Sequence, residues 1–312
     1  MGYHMNLNTA WKLFARSKAG NGVKAVTIAT YRQRIDTFLT QHGETELDQI
    51  TIDQVEAWAR QQYQTTTRWD GHPCHPASRG KLSNATIHGR IRALKTFLTW
   101  CNQRGHASAN PTADLRMPRY PRILHNKVMA DHDLAKMLKV TRRRAKEGNP
   151  RDHAILTFIA DTGCRVGELC NLKLTDLDLT NLTALVDGKS GPGYVAYTPA
   201  TAAALQAWLT ARPRLGHDYL FVGLWGAAKD KPITRNAVYL TMKRIAREAA
   251  VSGRFNPHSV RHLVGQSWAD HGVNLGLIQQ KLRHADMNST AVYLNQNIKR
   301  VQAKTDELSL VR

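Results

Sequence analysis

The sequence predicts a multidomain, mainly α-helical protein: an all-α N-terminal bundle, a basic proline-containing linker, and an α+β C-terminal domain with one small antiparallel sheet. Three observations carry that prediction. Apolar residues recur at helical spacing through most of the 312 residues. The pattern breaks between Gly105 and Met129, around Asn110-Pro111, Pro118 and Pro121, where proline stiffens and extends the chain. Only one stretch reads as paired strands, Leu182–Val186 and Tyr194–Tyr197 around Asp187-Gly-Lys-Ser-Gly-Pro-Gly193. The domains are therefore placed at 1–108 and 128–312, with the linker at 109–127.

Gly2-Tyr3-His4 ahead of Met5 reads as a cloning remnant, so the first helix is expected near Asn8. Ile28, Tyr31, Ile35, Phe38 and Leu39 form the next apolar stripe, with Thr27 placed as its cap. Thr51 and Gln54 have the spacing of a capping box before Ile52, Val55, Trp58 and Ala59. After Ser83, residues Ile87, Ile91, Leu94, Leu98 and Cys101 share one helix face, while His88, Arg90, Arg92 and Lys95 occupy the others without an acid among them. Between these helices, residues 64–82 are rich in turn formers and read as an irregular connection. In the C-terminal domain, helices are expected from Asp131, through Ala154–Ile159 to Thr162-Gly163, and again from Pro199, Thr234, Pro257, Asn274 and Thr290.

Lys and Arg number 44 against 24 Asp and Glu, a net charge of +20. Such an excess draws a polyanion, above all nucleic acid. It is shared between the halves: residues 1–125 hold 17 basic and 8 acidic side chains, the remainder 27 and 16. Both halves are thus expected to face one polymer, and the basic linker, with Arg116, Arg119, Arg122 and Lys127, would let them encircle a duplex. No apolar run reaches the roughly 20 residues needed to span a bilayer. Cys74, Cys101, Cys164 and Cys170 lack CxxC spacing and read as reduced thiols in a cytosolic protein. His72, Cys74 and His75 are too crowded for paired zinc ligation and lack a fourth partner, so no metal is expected there.

The chemistry concentrates in His258-Ser-Val-Arg261-His262, followed by His284 and Tyr293. Two histidines, an arginine, a third histidine and a tyrosine combine proton-transfer groups, a phosphate clamp and a nucleophile. Upstream, Thr162-Gly163-Cys164-Arg165-Val166-Gly167-Glu168-Leu169 places an arginine where a helix begins, three residues before a glutamate. Met singly, each has a plain structural explanation, such as a solvated ion pair or a packed aromatic.

Taken jointly, these segments resemble the tyrosine recombinases, the phage integrase family. That family's pattern is an arginine in a T-G-x-R-x-x-E-L box, then a lysine on a β-hairpin about 24 residues later, then H-x-x-R, a histidine or tryptophan, and a tyrosine nine residues beyond it. Arg165, Lys189, His258, Arg261, His284 and Tyr293 fill the six positions in order. The resemblance runs from about residue 8 to 300, and the helical N-terminal region is similar to the family's SAM-like core-binding domain. One departure stands out: the family's usual glycine before the histidine is here Arg283. Glycine suits a left-handed helix end, so arginine implies a differently shaped end or an extra phosphate contact.

The resemblance implies a site-specific recombinase needing no cofactor. Arg165 and Arg261 would clamp the scissile phosphate and Tyr293 would attack it. Lys189 would protonate the leaving oxygen, His258 would handle the tyrosine proton, and His284 would hydrogen-bond the phosphate. Glu168 and His262 would orient the arginines. It further implies double-stranded DNA as partner, a homotetramer exchanging strands through a Holliday junction, and docking of the last residues, from Leu294, on a neighbouring subunit. Accessory DNA-bending proteins and a cytoplasmic, nucleoid-associated location fit the same picture. With its first helix near residue 8, the chain is expected to lack an arm-binding domain. Residues expected to meet DNA are His88, Arg92 and Lys95, Arg119 and Arg122 of the linker, and Arg235, Asn236, Tyr239 and Lys243 after Thr234. A type IB topoisomerase and a non-cleaving DNA-binding regulator of the same fold are the alternatives.

Overall fold

The computed structural model describes residues 5–68, 78–117, 128–188, 191–284 and 290. Two compact units divide the chain, Met1–Ile123 and Leu124–Arg312.

The first unit is built on four helices, α1 (Leu7–Gly20), α2 (Ala25–His42), α3 (Ile52–Gln64) and α4 (Asn84–Gln103). Asn6 caps α1 through the Thr9 amide, and Ser83 caps α4 through that of Thr86. Thr51 and Gln54 do form a reciprocal capping box on α3. Thr27 does not cap α2. That helix starts two residues earlier after Lys24, so the Thr27 amide already donates to the Lys24 carbonyl, at 2.8 Å. Ile35, Phe38 and Leu39 are buried with Trp11, Phe14, Trp58, Ile91, Leu94 and Phe97, and Ile28 and Tyr31 pack at the edge of that core. The 64–82 connection is more ordered at its ends than its composition suggests. Strands β1 (Thr67–Arg68) and β2 (Ser78–Arg79) pair antiparallel, Thr67 opposite Arg79. Two residues per strand are too few to show an alternation.

The second unit contains α5 (Asp131–Lys146), α6 (Pro150–Thr162), α7 (Val166–Asn171), strands β3 (Leu177–Asp178), β4 (Thr183–Gly188) and β5 (Gly191–Ala196), then α8 (Pro199–Ala211), α9 (Arg235–Glu248), α10 (Pro257–Asp270) and α11 (Leu275–Leu282). Helix α6 is central: Ala154, Ile155, Leu156, Phe158 and Ile159 are all buried, and it packs against α5, α8 and α10. Its apolar residues wrap most of its circumference, as expected for a helix covered on several sides. Gly163, at φ 63°, ends it in the left-handed conformation and turns the chain towards α7.

The sheet has three strands in the order β3-β4-β5, one more than the sequence suggested. Its hairpin is also longer. Pairing continues through Val186–Gly193 and Asp187–Pro192 to Gly188–Gly191, so Lys189 and Ser190 alone separate the strands. The glycines and proline that read as turn lie in the ladder. Proline is tolerated because β5 is an edge strand; Gly188 and Gly193 are closely packed, and Gly191 is at φ 79°.

A buried ionic knot joins α5, α6 and α9. Asp152 is fully buried and accepts from Arg151 and Arg244, with Arg144 3.9 Å away. Arg143 and Arg144 both reach Glu248. Among the described residues, no helix is long and apolar enough to cross a membrane.

Candidate active site

Three local structures bring the candidate residues together in the second unit. Helix α10 starts with Asn256, whose side chain accepts from the Ser259 amide at 2.9 Å, and Pro257 stands in its first turn. His258, Arg261 and His262 follow at positions i, i+3 and i+4, and so share one face. Arg261 is buried, its two Nη atoms donating to main-chain carbonyls at the ends of other helices: Gly163 at 2.6 Å and Leu282.

Arg165 lies at the start of α7. Its amide donates to Glu168 Oε2 at 2.8 Å, its Nη1 to Glu168 Oε1 at 3.0 Å and its Nη2 to the Arg283 carbonyl at 3.1 Å. Glu168 is only 1% exposed, so this pair is no solvated surface bridge. The two guanidiniums therefore converge on the C-terminus of α11, where they hold the carbonyls of consecutive residues, Leu282 and Arg283.

Helix α11 delivers His284. The His284 amide donates to the Gln279 carbonyl and that of Arg283 to Gln280, both at 3.0 Å, a Schellman ending with Arg283 in its left-handed position (φ 50°, ψ 49°). The expectation of a differently shaped helix end is thus corrected: arginine adopts the conformation that suits glycine, at a cost of about 1 kcal/mol. Its side chain is not extended towards solvent either. Arg283 Nη1 donates to Glu168 Oε1 at 3.2 Å and Nη2 to the Gly191 carbonyl.

The His284 imidazole Nδ1 lies 2.8 Å from Thr290 Oγ1. Burial, then the positive charges of Arg261, Arg165 and His258, pushes the His284 pKa down to about 4. His258 and His262 face each other with Nε2 atoms 3.1 Å apart, so one nitrogen donates and the other accepts. Lys189 and Tyr293 lie outside the described residues, as do Arg119 and Arg122 and the crowded His72, Cys74 and His75. No cluster of three or more metal-binding side chains occurs among the described residues.

The remaining candidates lie on two helices. On α9, Arg235, Asn236, Tyr239 and Lys243 are exposed along one face, and the Tyr239 ring lies 5.9 Å from that of Phe255. In the first unit, His88, Arg92 and Lys95 border an open groove with Lys18 and Trp100. Lys95 turns its ammonium to the carbonyls of Leu115, at 3.1 Å, and Ala113, at 3.4 Å, and so braces the segment after α4.

The sequence pattern of the phage integrase family matches residues 127–300, more than half of the chain. The chain belongs to the phage integrase family. As a tyrosine recombinase it is an enzyme of the site-specific recombinase class. The tyrosine recombinase XerC of Corynebacterium glutamicum is 31% identical over 222 residues, 70% of each chain. XerC of Xylella fastidiosa is 28% identical over 281 residues, covering 90% of this chain and 89% of its own. Among solved structures, the Tn1549 transposon integrase in complex with transposon right-end DNA aligns with a TM-score of 0.72 at 18% identity, covering 97% and 99% of the two chains. The XerH site-specific recombinase bound to difH substrate aligns at 0.66 and 20%, over 93% of this recombinase and 81% of that one. Both likenesses are of fold.

Sequence reasoning missed one feature of the recombinase site and one of the fold that carries it. Nothing in the spacing signals that Arg283 would share Glu168 with Arg165, because Arg283 lies on another helix, 115 residues further along the chain. The Asp152 knot was equally hidden, although adjacent Arg151-Asp152 inside an apolar helix was a visible irregularity.

Proposed function

We propose that the chain cuts and rejoins double-stranded DNA at specific sites through a covalent intermediate on Tyr293. The observation that carries this reading is the convergence of Arg165 and Arg261 on the end of α11 immediately before His284, with His258 three residues before Arg261 on α10. A phosphodiester repels nucleophiles, and breaking it on a useful timescale requires about 20 kcal/mol of transition-state stabilisation. One donor supplies about 3–4 kcal/mol, so several must converge.

In this reading the two guanidiniums hold the non-bridging oxygens, and five N–H donors each let them be braced by protein on one side while addressing an anion on the other. His284, neutral at physiological pH, adds a hydrogen bond without a further charge. Tyr293 Oη attacks phosphorus and the P–O5′ bond breaks, leaving a 3′-phosphotyrosine. O5′ takes a proton from Lys189 Nζ, and His258 accepts the phenol proton with His262 behind it. A 5′-hydroxyl of another strand reverses the step, so the bond energy is kept without a nucleotide cofactor.

Residues 1–108 would act as a core-binding domain and 128–312 as the catalytic domain, joined by 109–127 around the duplex. A homotetramer would exchange strands through a Holliday junction, aided by DNA-bending proteins, on nucleoid-associated cytoplasmic DNA. The net charge of +20 supports the DNA partner. The basic faces of α4 and α9 are the contacts proposed: His88 and Arg92, with Lys95 bracing, then Arg235, Asn236, Tyr239 and Lys243, and Arg119 and Arg122 between them. Nicked DNA incubated in EDTA with this protein should give a covalent adduct and joined recombinant products. Relaxed circles alone would indicate a topoisomerase, and no adduct a regulator.

A further inference from the structure

The Arg283 side chain bonds to two groups that the site must keep in register. Its guanidinium donates to Glu168 Oε1 at 3.2 Å, the same oxygen that Arg165 Nη1 holds at 3.0 Å, and to the carbonyl of Gly191 in β5. The side chain is 11% exposed and the carboxylate 1%, so this three-way contact is largely dry. The hairpin is shaped to receive it. A Cβ on Gly193 would lie 2.9 Å from Arg283 Nε, and a Cβ on Gly188 2.7 Å from Glu168 Cγ. The strand ends on either side of Lys189 and Ser190 are thus pressed against the Arg283–Glu168 pair, with Gly188 on one side and Gly191 on the other. At the far end of β5, Lys281 donates to the Ala196 carbonyl at 3.2 Å.

We propose that Arg283 is a positioning residue for Lys189. It moors the β4–β5 hairpin to the buried Glu168 carboxylate and couples the placement of the Lys189 ammonium to the aim of Arg165. The inference rests on the reading of Lys189 as the group that protonates O5′. Its physical content is geometric: a hairpin with two residues between its strands pivots about its base, and the base is what Arg283 grips. A planar fork can hold a carboxylate and a carbonyl together, which an ammonium on one stem does less well. Glycine at this position keeps the left-handed backbone and removes only the mooring, so Arg283→Gly is a variant that leaves the helix end intact.

The test uses suicide duplexes whose sequence the wild-type protein selects from a random library by covalent capture. Each is prepared with an ordinary 5′-bridging oxygen and with a 5′-bridging sulfur, which leaves as a thiolate without needing a proton. Arg283→Gly should cut the oxygen duplex about 10- to 100-fold more slowly, the range that a displacement of about 1 Å costs, and should regain near wild-type rate on the sulfur duplex. Lys189→Ala should show the same pattern more steeply, and Arg283→Lys should fall between. If Lys189→Ala recovers on sulfur while Arg283→Gly does not, or if Arg283→Gly cuts the oxygen duplex at full rate, the positioning role is wrong. If Lys189→Ala itself fails to recover, the assignment of Lys189 is wrong and the role of Arg283 falls with it.

Discussion

Arg261 Nη1 donates to the carbonyl of Gly163 at 2.6 Å, across 98 residues of sequence. The bond links the end of α6 to the first turns of α10, and the same guanidinium reaches on to Leu282 at the end of α11. One buried cation thereby gathers two helix C-termini, whose carbonyls carry the negative end of the helix dipole. Gly163 is at φ 63°, and a Cβ there would lie 2.8 Å from Leu282 Cδ2. Gly163→Ala should destabilise the protein by about 1–2 kcal/mol in denaturant titration, through left-handed strain and displacement of Leu282.

Asp152 has no route to solvent and lies among Arg151, Arg144 and Arg244. Asp152→Asn keeps the shape and removes the charge, leaving buried guanidinium charge uncompensated. A loss of about 3–5 kcal/mol is expected in chemical unfolding monitored by circular dichroism. Arg244 is itself half exposed, so Arg244→Lys should cost far less.

His284 gives a pH prediction with a definite sign. Its pKa falls from an ordinary 6.5 to about 4 in the folded protein, through burial and then Arg261, Arg165 and His258. Between those values the unfolded chain binds a proton that the folded one refuses, so stability is full above pH 6.5 and declines as pH falls towards 4. His153, also lowered by burial and by Arg142, acts in the same direction. Two-dimensional NMR of the free protein should show a neutral His284 ring at pH 5.5. In urea titrations at pH 7 and pH 5, His284→Gln should lose less stability than the wild type.

The thiols are inert by the same physics. Burial pushes Cys101 and Cys164 up to about 12 and Cys170 to about 11. Iodoacetamide at pH 8 should leave peptides carrying these three unmodified in the native protein and alkylate them all in denaturant, as read by mass spectrometry.

Much of this was legible in the sequence because it was periodic or local. The helix after Ser83 showed its face at every turn, and the Thr51–Gln54 box, being a contact between residues three apart, could be read directly. The end of α6 at Gly163 was readable for the same reason. Thr27 misled because capping chemistry does not by itself say where a helix starts. The hairpin was read as too short because Gly188, Gly191, Pro192 and Gly193 have turn composition. Gly188 and Gly193 are small because Glu168 and Arg283 press on them from elements far away in sequence. Order and spacing placed Arg165, Arg261 and His284 in one set, but the carbonyls of Gly163, Leu282 and Arg283 that aim the two guanidiniums are main-chain atoms, which leave no mark in residue identity.

The central claim, a phosphodiester broken by Tyr293, is tested most directly by denaturing electrophoresis of the protein with labelled, nicked target DNA in EDTA. Wild type should yield a protease-sensitive protein–DNA adduct attached through the 3′-phosphate, and Tyr293→Phe none. A wild-type protein that binds and protects the duplex yet never forms the adduct, or an adduct that persists in Tyr293→Phe, would contradict it.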